Sequence, residues 1–101
     1  MSDIIIVSRH IGAIEWLQRK NIVGTVLTYA TVNDIKNKTV FGSLPIHIAS
    51  HAKQYYKIRI PMKRTDTPIE LSADEMDKLD AYLECYSISQ IETPHFANVS
   101  L

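Results

Sequence analysis

The sequence predicts an α/β fold, with a mainly parallel sheet and helices on both of its faces. Three observations lead there. The run Ile4-Ile5-Ile6-Val7 is continuously apolar and β-branched, the pattern of a strand buried on both faces. The residues after it change to a helical period. Strand-like and helix-like segments then alternate along the chain, in the order strand–helix–strand–strand–helix–strand–helix. Right-handed crossovers favour the strand order 2-1-3-4, with the chain reversing direction between strands 1 and 3.

Each element has its own justification. From Ile11 to Lys20, Ala13, Ile14, Trp16 and Leu17 form the apolar face, Glu15, Gln18, Arg19 and Lys20 form the wet face, and Asn21 can end the helix. "IVGTVLTYA" reads as the second strand. "TVNDIKNK" has turn chemistry with room for one helical turn. "TVFGS" reads as a short third strand. Pro45 suits a first helical turn, so "PIHIASHAKQ" is expected to be a helix. "YYKIRIP" alternates in polarity, which predicts an edge strand stopped by Pro61. "MKRTDTP" is a basic loop. Ser72 and Glu75 form a capping box, and Met76, Leu79, Leu83 and Tyr86 continue at helical spacing, so the last helix is expected to run to Tyr86. The tail from Ser87 to Leu101 is mixed.

Composition narrows the function. A chain of 101 residues is expected to form one domain over 1–101. Lys+Arg and Asp+Glu are both 11, so net charge is zero, which argues against a protein that coats long nucleic acid. A small anionic ligand needs only a local cluster of donors. Cys85 has no second cysteine to pair with and is expected to be a structural residue on the last helix. The N-terminal apolar run lacks a basic flank and is too short to span a bilayer. The expected location is therefore the cytoplasm, with no membrane partner.

Two loops carry the chemistry. Strand 1 ends at "SRHIG" and strand 3 at "GSLPIH", and the proposed strand order makes them neighbours at the switch point. Sheets of this kind bind ligands there, beyond the carboxyl ends of the strands. Gly12 and Gly42 would let backbone approach a ligand closely. Ser8, Arg9, His10, Ser43 and His47 would converge on one crevice. Arginine offers a planar donor fork for phosphate, and imidazole is the side chain suited to proton transfer near neutral pH. These parts suit phosphate-ester chemistry without a metal. Ser8 could equally cap the first helix, and His47 could be an ordinary exposed residue. His47 and His51 have metal-ligand spacing on a helix, but no "HExxH" and no cysteine pair accompany them, so neither a metal nor another cofactor is expected. The basic set Lys53, Lys57, Arg59, Lys63 and Arg64 reads as a solvated edge, and Lys63 and Arg64, in the loop after strand 4, could also rim the pocket.

At these residues the sequence resembles a small stand-alone family of ancillary proteins of type III CRISPR systems. "VSRHIGAIEW", "GSLPIHIA" and "LSADEMDKLDAYLE" carry the resemblance in that order, over about residues 4 to 86. Ser8 and Ser43 stand where threonine is common in the family, and Ile48 where leucine is common. The resemblance implies a Rossmann-like, CARF-like three-layer sandwich that works as a homodimer. It also implies a ring nuclease that opens cyclic tetra-adenylate, a cyclic oligoadenylate second messenger, by attack of a ribose 2′-hydroxyl on the adjacent phosphorus. Arg9, His10 and His47 would be catalytic. Ser8, Gly12, Gly42, Ser43, Leu44, Pro45, Lys63 and Arg64 would bind the ligand, partly through loop amides. Two other readings come from different classes. One is a protein that binds the ring without cutting it. The other is a small histidine-type phosphatase, whose R-H-G run Ile11 interrupts here.

Overall fold

A computed structural model describes residues 3–61 and 70–91. The chain runs β1 (Ile4–Val7), α1 (Ile11–Arg19), β2 (Thr25–Leu27), α2 (Val32–Ile35), β3 (Thr39–Gly42), α3 (Ile46–Ala49), β4 (Gln54–Arg59), α4 (Ala73–Lys78) and β5 (Tyr82–Tyr86). The sheet order is β2-β1-β3-β4-β5, so the expected 2-1-3-4 is present and a fifth strand extends it. β1 pairs in parallel with β2 and β3, and β3 with β4, while β5 lies antiparallel to β4.

The alternation of β1 explains the layers. Ile5 and Val7 point to one face, where they pack with Ile35 of α2, Ala49 of α3, Val40 and Tyr55. Ile6 points to the other, where it meets Trp16 and Leu17 of α1, Ala73 and Met76 of α4, and Phe41. Two cores, one on each face, make the three-layer sandwich. Trp16, Ile6 and Leu17 are almost wholly buried, each contributing on the order of 1.5–3 kcal/mol of transfer free energy. Phe41 and Tyr56 stack on neighbouring strands with ring centroids 4.5 Å apart.

Four expectations need correction. The last helix ends at Lys78, not at Tyr86. Leu79 caps it, Asp80 takes a left-handed conformation (φ 59°), and the chain turns back as β5. Met76, Leu79 and Leu83 share one apolar spacing, but Leu83 reaches the core from a strand. "YYKIRIP" is therefore not an edge, because β5 covers it through the pairs Tyr55↔Tyr86 to Arg59↔Tyr82. Cys85 accordingly sits on an exposed strand rather than on a helix. Finally, the second expected helix shrinks to Ile46–Ala49. Pro45 is its N-cap in extended conformation, and His51 lies beyond it, so His47 and His51 do not share a helical face.

Candidate functional site

The parallel register decides what meets what. Val7 is aligned with Leu27 on β2 and with Gly42 on β3, so the residues after these three strand ends share one edge of the sheet. A cleft of about 520 Å³ opens there. Ser8, Arg9 and His10 line it from β1, Thr28 and Tyr29 from β2, and Gly42 and Ser43 from β3. Its floor is apolar, with Leu17, Ile58 and Met76 among the lining residues.

The β1 loop is short and internally tied. The Ser8 backbone N–H donates to the Leu27 carbonyl at 3.0 Å, which joins the loop to β2. The Ser8 hydroxyl accepts from the His10 backbone N–H at 3.1 Å. Ser8 thus closes the turn, while the N-cap position of α1 belongs to His10, which makes no side-chain cap. The Arg9 guanidinium lies over the Tyr29 ring, 5.8 Å from its centroid, within the range of a cation–π contact. Tyr29 is 76% exposed, so its ring stands in the cleft wall largely open to solvent. His10 Nδ1 lies 2.5 Å from the Oε1 of Glu70.

The β3 loop is pinned from beneath. The buried Tyr55 hydroxyl accepts from the Leu44 N–H at 3.0 Å and donates to the Gly42 carbonyl at 2.8 Å. Burial pushes the Tyr55 phenol above its usual range, partly offset by the Leu44 N–H that it accepts. Gly42 itself has φ +135°, and a side chain there would strike the Val7 carbonyl oxygen at 2.0 Å. Glycine is therefore what lets β3 end against β1.

Ser8, Arg9, His10, Gly42 and Ser43 are brought together as lining residues, and four other candidates are not among them. Gly12 is buried in α1, where an added Cβ would sit 1.8 Å from the Leu71 carbonyl oxygen, so it serves the close approach of residues 70–72. Leu44 commits its N–H to Tyr55 and packs on the core. Pro45 caps α3, with its carbonyl accepting from Ile48 and Ala49. His47 is exposed on α3. Lys63 and Arg64 lie outside the described residues.

Sequence reasoning missed Tyr29, Lys57 and Glu70, all of which line the cleft. In the sequence Lys57 belongs to a basic set that reads as a solvated edge. Glu70 stands just before a capping box that explains Ser72 and Glu75 but leaves Glu70 without a task, and that was the available signal. Among the described residues no group of three or more His, Cys, Asp or Glu side chains is placed to hold a metal ion. Likewise, no helix among them is long and apolar enough to cross a membrane.

Chemically, the cleft combines cations, hydroxyls, an imidazole and an exposed aromatic ring over an apolar floor. Cations and hydroxyls suit phosphate oxygens, and an exposed ring suits a planar base. A family model described as "Putative CRISPR-associated protein (Cas_VVA1548)" matches residues 5–89, a span that runs from β1 to just past β5 and contains every cleft residue named above. No curated protein and no solved structure matches the chain.

Proposed function

The chain belongs to this family of CRISPR-associated proteins, and from that premise we propose that it is a ring nuclease that linearises cyclic tetra-adenylate and so ends a type III antiviral signal. The observation that carries the reading is the cleft at the switch point, where Arg9, His10, Ser8 and Ser43 surround one opening. Tyr29 beside Arg9 favours a nucleotide over a bare phosphate, since a base can stack where the phosphate is held.

In this reading the ligand's 2′-oxygen forms a bond to the adjacent phosphorus, and the bond from phosphorus to the 5′-oxygen breaks. Arg9 holds the phosphate and offsets the charge that develops on it. His10 takes the proton from the 2′-hydroxyl. With His47 off the cleft lining, the departing 5′-oxygen takes its proton from water. The product is linear and ends in a 2′,3′-cyclic phosphate. A homodimer presents two copies of this site to a two-fold ring.

The test is incubation of the purified protein, in excess chelator, with cyclic tri-, tetra- and hexa-adenylate, followed by chromatography. Linear di-adenylate from the four-membered ring is expected. Tight binding of that ring with no linear product over hours would replace the enzyme with a binding protein. Covalent phosphohistidine would replace it with a phosphatase, and activity restored only by zinc or manganese would defeat the metal-free route.

A further inference from the structure

We infer that Glu70 is the positioning residue for His10, and that the segment 70–72 exists in its present path to deliver it; this rests on the ring-opening reading. A carboxylate can only accept at this pair, so the proton between His10 and Glu70 sits on Nδ1. That leaves Nε2 as the nitrogen free to take a proton. The same contact fixes the orientation of the ring about its bond to the backbone. An imidazole on an exposed loop would otherwise sample both tautomers and several rotamers.

Three features hold the carboxylate in place. The Leu71 side chain packs into the core formed by Trp16, Leu17 and Met76. Ser72 closes a reciprocal capping box with Glu75, at 3.1 and 3.0 Å. The Leu71 carbonyl rests against Gly12, at a distance that only glycine allows. Glu70 is therefore carried by an anchored strap, with the next two residues locked to α1 and α4. Gly12 lies two residues from His10, so both partners of the hydrogen bond are referred to the same first turn of α1.

The experiment uses Glu70→Ala and Glu70→Gln in the full chain. The first readout is the ring nitrogen spectrum of His10 in the ligand-free protein, under mildly alkaline conditions. The wild type is expected to carry its proton on Nδ1. Glu70→Ala is expected to shift it to Nε2, and Glu70→Gln, whose amide oxygen still accepts, to fall between. The second readout is single-turnover opening of cyclic tetra-adenylate. Glu70→Ala is expected to slow it by about tenfold or more, part of the 10²–10⁴-fold that an acid–base group contributes, with ring affinity kept. Adding Glu70→Ala to His10→Ala should slow it no further, because Glu70 acts only through His10. A wild-type proton on Nε2, a spectrum unmoved by Glu70→Ala, or losses that multiply in the double variant would each overturn the role. If the wild type opens no ring, the ring-opening reading falls, and the spectra alone still decide whether Glu70 sets the imidazole.

Discussion

In the proposed ring opening Arg9 would hold the phosphate both before and during reaction, so its loss should act on both stages. Arg9→Ala should weaken ring binding and slow cleavage together, and a variant that binds like the wild type would remove Arg9 from the ligand. In the same proposal His10 would act on a proton that moves only in the transition state. His10→Ala should then slow single-turnover cleavage by about 10²-fold or more, with affinity nearly unchanged. Unchanged cleavage would clear His10 of any chemical role. Tyr55→Phe removes one hydroxyl that serves both Gly42 and Leu44. It should cost about 1–3 kcal/mol of stability, read as a thermal midpoint lower by several degrees, and a midpoint equal to wild type would show that the β3 loop needs no pin. Ser8, Arg9, His10 and Ser43 were legible in the sequence because a strand handing over to polar residues and a glycine is a local pattern. Glu70 was not, because its partner lies 60 residues away and tertiary packing, as at Gly12 and in the core shared by α1 and α4, brings them together.

α4 shows how far a local period can mislead at the scale of an element. Its start was legible from Ser72 and Glu75, and its end was not, because Leu83 keeps a helical spacing while serving a strand. Ser72→Ala should cost about 1 kcal/mol, the usual price of an N-cap, and a loss near zero in the unfolding midpoint would mean the strap holds α4 alone. Gly12→Ala would force the Leu71 carbonyl away and should slow ring opening as Glu70→Ala does, besides lowering stability. Full activity in that variant would separate the strap from the site. The contact between α1 and α4 also sets an acid limit. The Asp74 carboxyl is held below its usual range by its hydrogen bond and charge pairing with Arg19, and the Glu75 carboxyl by the Ser72 backbone N–H that it accepts. Lowered folded-state values contribute stability that is present above the unfolded value of about 4 and is lost as pH falls through the folded one. Arg19→Gln should therefore unfold more easily than wild type at neutral pH, and the gap should close in acid. A gap constant with pH would assign Arg19 a packing role only.

For the molecule as a whole, the parallel order of the first four strands was readable because alternating periods and handed crossovers leave few arrangements. The fifth strand was hidden, and with it the edge opposite β2, which among the described residues is β5 rather than β4. A homodimer would need an exposed apolar surface, and one lies beside the cleft. Ile11, Tyr29 and Ile46 are all at least 70% exposed and follow the carboxyl ends of β1, β2 and β3, so they share the edge that carries the cleft. Light scattering at micromolar concentration should give a dimer, and Ile46→Glu should shift it toward monomer. An active wild-type monomer would rule the dimer out. One further property follows from Trp16, the sole tryptophan, which is wholly buried and donates through its indole N–H to Asp77 at 2.9 Å. Its emission has a single source, seated between the helix that begins just after His10 and the helix that follows Glu70. The colour of that light is a built-in gauge of whether these two helices stay together. Titrating the ring while watching it would show, without any label, whether the two arms of the cleft move when the ligand arrives.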